Sequence, residues 1–328
     1  VEKGQIIKLL TESSFEELSK IADEVRKRIH GNIVHLRAII EFSNYCKCNC
    51  LFCGIRRSNK KLTRYRMSSK EIIELAKSAV KEGFKTVVLQ SGEDSYWNAF
   101  KLSEVVKEIK KFNVAVTLSV GELSYKDYAL LREAGADRYL LKFETSNEKL
   151  FRALKPDTTL QKRLQCLKWI KQLGYETGSG IIVGLPGQTI ETLADDILLM
   201  KELELDMLGI GPFIPHPETP LKNAPMGNPL ISLKVLAIMR ILLPEANIPA
   251  TTALRTISPH LCEKAFQAGA NVVMPDITSE KYRNFYDIYP GKTKTKSSFE
   301  YWKNLLKCFD REVSNDYGFV KKKSSVIF

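Results

Sequence analysis

Four cysteines fall within eight positions of NYCKCNCLFCG, residues 44–54, and only seven occur in the whole chain. The other three, Cys166, Cys262 and Cys308, stand alone, so the cluster is a local device. Three chemistries compete for Cys46, Cys48, Cys50 and Cys53. Disulfides fit poorly, because thiols this close in sequence close no useful loop. A structural zinc site ordinarily takes two well-separated ligand pairs, and no second CxxC or HxxxH follows. The third reading takes Cys46, Cys50 and Cys53 as CxxxCxxC, three thiolates for three irons of a [4Fe–4S] cluster. Its fourth iron would stay open to another ligand. Cys48 is surplus on this count and is expected to face away.

Other residues suited to chemistry follow at intervals. Gln90-Ser91-Gly92-Glu93-Asp94 is a small-residue turn whose carbonyls and acidic side chain could hold an ammonium group, although an ordinary helix cap would read the same. Lys142 and Glu144 fall on one side of an extended stretch, and opposite charges in an enclosed place are costly unless paired or bound to a ligand. Arg163 could clamp a carboxylate, though an arginine on a helix surface is commoner. Gly178, Gly180 and Gly184 let a ligand approach the backbone, but they do not form a G-x-G-x-x-G fingerprint. His216, in the proline-rich GPFIPHPETPL, reads as structural and stays outside the catalytic set.

These residues need a frame. Apolar runs rich in Val, Ile and Leu predict strands at 34–43, 86–92, 114–121, 138–145, 176–184, 206–214, 248–254 and 271–277. Amphipathic stretches such as SSKEIIELAKSAVKEG and TLQKRLQCLKWIKQLG lie between them. Several end in a glycine stop, as in KEGFKT, REAGADR and QAGANV. Eight strand–helix repeats imply an α/β chain folded as a single (β/α)8 TIM-type barrel at 34–291. An N-terminal helical segment (1–33) precedes it and a C-terminal extension (292–328) follows. Chemistry in such barrels sits at the C-terminal strand ends, and the cysteine loop directly follows the first strand.

A length of 328 residues suits one large domain, and 44% hydrophobic with 27% charged residues is ordinary for a soluble protein. The net charge of +12 is spread over lysine-rich helix faces, with one KKK block at 321–323. No segment interleaves basic and aromatic residues, so no nucleic-acid partner is expected. No apolar run approaches the ~20 residues of a membrane span, and VEKGQIIKLL lacks a signal-peptide layout. An odd number of cysteines points to the reducing cytoplasm.

The cysteine spacing, with Phe52 before the last thiol and a strand in front, resembles the radical S-adenosylmethionine (SAM) superfamily. The resemblance implies that SAM occupies the open iron and that one electron cleaves it to a 5′-deoxyadenosyl radical. Ser91-Gly92-Glu93 matches that superfamily's G-G-E turn with one substitution, and the strand ending at Gly184 corresponds to the one beside the adenine. Longer strings, among them VVLQSGED, ADRYLLKFETSN, VGLPGQTIE, GIGPFIPHPETPL and IYPGK, resemble the HydE family of [FeFe]-hydrogenase maturases up to about residue 291.

That likeness implies assembly of the hydrogenase diiron subcluster from an iron complex bearing CO, cyanide and cysteine, by attack at sulfur. It implies Cys46, Cys50 and Cys53 on the cluster, with Phe52, Gln90, Ser91, Gly92, Glu93, Glu144, Arg163 and Gly184 around SAM. Thr117, Arg138, Thr251, Thr252 and Met274 would line the substrate cavity. The implied partners are a small organometallic or amino-acid-derived substrate, a ferredoxin- or flavodoxin-type electron donor, and the maturases HydG and HydF. Lys142-Phe143-Glu144-Thr145 departs from the family's R-H-E-T, and Cys308 alone leaves no ligand set for a second cluster. A methylornithine synthase-like mutase, a biotin-synthase-like enzyme and a non-catalytic metal carrier are the alternatives. A carrier would leave the SGED turn and the Glu144/Arg163 pair without a purpose.

Overall fold

The computed structural model describes residues 1–292 and 298–320. Two helices lead, α1 (Lys3–Thr11) and α2 (Phe15–His30), the second opened by a Ser14/Glu17 capping box. Then come β1 (Ile33–Ser43), α3 (Ser69–Glu82), β2 (Thr86–Ser91), α4 (Ala99–Lys110), β3 (Ala115–Ser119), α5 (Tyr125–Glu133) and β4 (Arg138–Leu140). Next are α6 (Glu148–Leu154), α7 (Leu160–Gln172), β5 (Glu176–Val183), α8 (Ile190–Glu202), β6 (Met207–Pro212) and α9 (Pro229–Leu242). The remainder is α10 (Thr252–Ile257), α11 (Pro259–Gln267), β7 (Val272–Val273), α12 (Glu280–Arg283), α13 (Phe299–Cys308) and β8 (Glu312–Val313).

Strands β1 to β6 lie side by side in chain order, all parallel, and β7 returns to the free edge of β1. The gap between β6 and β7 is bridged by residues 247–249. Asn247 pairs with Met207 on one side and Pro249 with Val272 on the other. Eight parallel positions therefore close into the expected barrel, with helices outside it. Alternating apolar residues such as Ala38, Ile40 and Phe42 on β1 are fully buried.

Three expected strands are much shorter than the sequence suggested; the eighth is cut to Val272–Val273 ahead of Pro275, with one further bridge at Asp276. The fourth ends at Leu140 because the Phe143 amide turns to the Ser179 hydroxyl (3.2 Å) and Glu144 takes a left-handed φ of 65°. The seventh reduces to single bridges, since Pro249 has no N–H to donate and α10 begins at Thr252.

The extension closes the N-terminal end of the barrel. β8 pairs with Ile33 and Val34, and residues 317–320 then cross beneath the strands. The Asn247 side chain donates to the Gly318 carbonyl (2.9 Å), and the Val320 amide donates to Glu176. The KKK block lies outside the described residues. Among the described residues, no helix is long and apolar enough to cross a membrane.

Candidate functional site

The cysteine loop leaves β1 through an irregularity in the pairing with β2 between Glu41 and Ser43. Such a bulge re-aims the chain at the barrel rim. Its backbone is fastened on three sides. Lys47 N donates to Glu93 O (2.9 Å), Leu51 N to Leu154 O (2.9 Å) and Gly54 N to Ile288 O (3.0 Å). Two glycines permit the close approach: a Cβ at Gly92 would lie 2.3 Å from the Tyr45 carbonyl oxygen, and one at Gly54 would lie 2.1 Å from that of Asp287. His216 packs on Gly54 and reaches Asp287 through Nε2 at 3.1 Å, a structural use that agrees with its exclusion from the catalytic set.

The thiols differ in surroundings. Cys46 Sγ accepts from the Glu93 amide at 3.4 Å, and Cys50 Sγ accepts from the Lys155 ammonium at 3.3 Å. A hydrogen bond from Cys48 lowers the Cys46 thiol to about 7, whereas burial raises Cys50 and Cys53. Cys48 is therefore buried and turned toward Cys46; it does not face away as expected. Among the described residues, no three His, Cys, Asp or Glu side chains gather closely enough for a single ion.

Behind the loop, a buried arginine sits among carboxylates. Arg163 Nε lies 2.9 Å from Glu122 and Nη2 3.8 Å from Glu93, yet neither nitrogen is aligned for a hydrogen bond. Burial opposes its charge, but Glu122, Glu93 and Glu144 together outweigh that and raise its pKa. Lys155 is similarly enclosed; burial and Arg163 depress it, while Cys50, Glu144 and Glu93 hold it above its ordinary value. Lys142 and Glu144 do share a side, 3.0 Å apart, and Glu144 Oε2 has no aligned donor.

The barrel encloses a cavity of about 340 Å³. Phe52 and Cys53 belong both to its wall and to the cysteine loop. Arg37, Lys142, Arg255 and Lys292 line it, with Glu41, Glu144 and Asp276. Lys292 meets Glu41 and approaches Asp276 at 3.8 Å, and Lys142 meets Glu144. Arg37 and Arg255 form no ion pair among the described residues. Arg37 instead donates to Met207 Sδ (2.9 Å) and the Gly318 carbonyl (3.3 Å), leaving its buried Nε unpartnered. The hydroxyls of Thr117 and Thr251 are also buried on this wall without a partner. Burial raises the Glu41 carboxyl to about 8, against the pull of Lys292.

Of the residues expected around a ligand, Phe52, Gln90, Glu144, Thr117, Thr251, Thr252 and Met274 line the cavity. Ser91, Gly92 and Glu93 form the turn against Cys46, and Arg163 stands behind it. Gly184 lies off the cavity wall, with a left-handed φ of 84° and its α-carbon packed on Gly227.

Arg138 is a correction. It starts β4, at the closed end of the barrel, and its guanidinium is taken by Glu176 and the Tyr317 carbonyl (2.6 Å). It therefore lies beneath the cavity and not on its wall. Sequence reasoning missed Lys155, Arg37, Glu41 and Lys292. Arg37 and Glu41 alternate along β1, a signal available in the sequence. Lys155 and Lys292 sit in loops, where no periodicity marks them.

The model of the radical SAM superfamily matches residues 40–200. The chain is 53% identical over 307 residues to the [FeFe] hydrogenase maturase subunit HydE of Thermotoga maritima, covering 92% of this chain and 88% of that protein. It is 31% identical over 278 residues to 3-methylornithine synthase of Methanosarcina acetivorans, covering 84% and 78% respectively. The solved structure of methylornithine synthase (PylB) superposes with a TM-score of 0.84 at 26% identity, covering 95% of this chain and 94% of that one.

Proposed function

Because this chain belongs to the radical SAM superfamily, we propose that it is a HydE-like hydrogenase maturase that acts on an anionic iron complex bearing CO, cyanide and cysteine. As a radical SAM enzyme it uses a [4Fe–4S] cluster and SAM. Held by Cys46, Cys50 and Cys53, the cluster would supply the one-electron reductive cleavage of SAM that the superfamily is built for.

The residues present fit both groups. Three thiols in CxxxCxxC order suit three irons, and Cys46 and Cys50 already accept hydrogen bonds that favour thiolate. Gly92 leaves room where a side chain would collide with the loop. In this reading Ser91, Gly92 and Glu93 hold the SAM ammonium through backbone carbonyls and a carboxylate. Arg163, with two unaligned nitrogens, holds its carboxylate. Glu144, Gln90 and Phe52 face the rest of the cofactor, and Gly184 lies behind it. Residues 34–291 are taken as the catalytic unit, with 1–33 and 292–328 as additions.

One observation carries the substrate class. Arg37 and Arg255 are cations on the cavity wall with no carboxylate partner among the described residues, beside the unpartnered hydroxyls of Thr117 and Thr251. Arg37 is buried, and a buried cation without a carboxylate partner is costly, a cost that an anionic ligand removes; Arg255 is half-buried over the Trp302 ring. The same wall disfavours a mutase acting on a cationic amino acid. Thr252 and Met274 complete the wall, and enclosure keeps water from the reacting centre. Attack at the cysteine sulfur would form a new carbon–sulfur bond, with the radical's odd electron taken up by the iron of the complex as a one-electron reduction, and so carry the adenosyl carbon into the product. An acidic one-electron donor protein, and the HydG and HydF maturases on either side of the reaction, are the partners this reading calls for.

The test is anaerobic. Protein reconstituted with iron and sulfide should give a [4Fe–4S]+ EPR signal that SAM shifts, and should cleave SAM, with both lost in Cys50→Ala. Adding the iron–cysteine complex should give a product with adenosyl bonded to sulfur. Release of 5′-deoxyadenosine carrying a hydrogen from substrate would refute attack at sulfur. Iron binding without any response to SAM would leave only a metal carrier.

A further inference from the structure

We propose that Lys155 is a positioning residue for the cluster: its ammonium donates a charge-assisted hydrogen bond to the Cys50 sulfur and raises the potential at which the cluster accepts an electron. This rests on the radical SAM reading above.

Lys155 follows the last residue of α6, and its own amide closes that helix on Phe151 O at 2.8 Å. One residue earlier, Leu154 O accepts from Leu51 N at 2.9 Å. The helix end and the cysteine loop are thus locked together directly beside the side-chain contact. The Lys155 side chain runs inward, 8% exposed, to place Nζ 3.3 Å from Cys50 Sγ and 5.6 Å from the centre of the Phe52 ring. Among the described residues, no carboxylate lies within ion-pair distance of it. Lys142, by contrast, has one and Lys292 two.

A buried ammonium without a carboxylate needs another anion. The Cys50 thiolate, with the cluster behind it, is the anion in reach. Adding an electron makes that cluster more negative, and a fixed cation at hydrogen-bond distance favours the more negative state. Hydrogen bonds to the sulfurs are one of the levers that set such potentials. Cys46 has only neutral donors, the Glu93 amide and Cys48, so the cationic contact falls on one corner of the ligand set. No proton moves in this step: an external one-electron donor is oxidised and the cluster is reduced.

The test is an EPR-monitored redox titration of the reconstituted protein without SAM, using dithionite as reductant. Lys155→Met should keep its iron and sulfide but titrate at a more negative potential. At the wild-type midpoint its ratio of reduced to oxidised cluster should fall about tenfold, which for one electron corresponds to about 59 mV. Lys155→Arg, which keeps the charge, should stay near wild type. A Lys155→Met midpoint equal to wild type would overturn the proposal. Should that variant lose its iron, Lys155→Gln decides by the same comparison. Loss of iron from both, with Lys155→Arg still loaded, would assign Lys155 to holding the cluster and also overturn the tuning role. A wild-type protein that takes up no cluster would instead sink the radical SAM reading.

Discussion

Substituting Gly92 by alanine tests whether the turn after β2 and the cysteine loop are built as one unit. The added methyl would lie 2.3 Å from the Tyr45 carbonyl oxygen and 2.7 Å from Cys46 Cβ. Non-bonded heavy atoms settle at roughly 3.5 Å, so the two segments must part by about 1 Å. Neither obstacle can rotate away, because one is backbone and the other is the root of a proposed ligand. Overpacking of this kind typically costs about 1–3 kcal/mol. If the strain falls on the loop, the geometry that accepts iron becomes about 5- to 150-fold rarer. The assay is iron retained per chain after anaerobic reconstitution and challenge with a chelator, beside thermal melting of the metal-free protein. Gly4→Ala is the control: no atom lies within 4 Å of its new methyl, and it sits inside α1. There alanine should be neutral or stabilise by up to about 1 kcal/mol. A Gly92→Ala protein that holds full iron against the chelator, with the wild-type EPR response to SAM, would refute the reasoning.

Cys50→Ala should abolish cluster binding, whereas Cys48→Ala should retain the cluster and SAM cleavage; equal iron loss in both would make Cys48 a ligand. Glu41 gives a pH signature, since burial holds its folded pKa near 8 against 4.5 for the free group. Between those values the folded state keeps a proton the unfolded chain has lost, so stability falls as pH rises from about 4.5 to 8. The loss is on the order of 5 kcal/mol. Glu41→Gln should lack it, and parallel melting profiles of the two proteins from pH 5 to 8 would contradict the assignment. Arg138→Met strands the buried Glu176, at about 3–5 kcal/mol, and should melt well below wild type. Adding Glu176→Gln should restore part of the loss, and identical melting of single and double variants would argue against a working ion pair. Thr251→Val removes a buried hydroxyl that has no partner, so melting should hold or rise slightly while affinity for the iron complex falls. A clear drop in melting temperature would show a hidden hydrogen bond.

Most of the frame was legible because strand and helix alternate eight times and glycine stops mark the returns. The fourth, seventh and eighth strands were over-read for local reasons. An apolar run cannot show that Glu144 will take a left-handed backbone, or that Pro249 will leave a ladder position without a donor. Thr117, Thr251, Thr252 and Met274 were placed on the cavity through the family resemblance, and all four line it. Arg138 misled because it begins a strand, and which end of a barrel a strand residue occupies depends on register with its neighbours. Thr117 and Arg138 are register partners on adjacent strands. One faces the cavity, while the other is turned to Glu176 and the crossing C-terminal segment. Lys155 was illegible because its role comes from a helix end meeting a loop over a hundred residues earlier in the chain.

The closure of the barrel through isolated bridges at Asn247 and Pro249 bears on how such enzymes diversify. From β1 to β6 the ladder is continuous, and it carries the thiols, the SGED turn, Glu144 and Arg163. Thr251 and Thr252 hang from the stretch where only single pairings join the neighbours, and Met274 follows the two-residue strand β7. The superfamily match ends at residue 200, before that stretch begins. On the proposed function, changes in that stretch reshape the substrate side of the cavity without breaking the continuous ladder's hydrogen bonds. A lineage built this way can exchange one substrate for another while inheriting its radical chemistry intact.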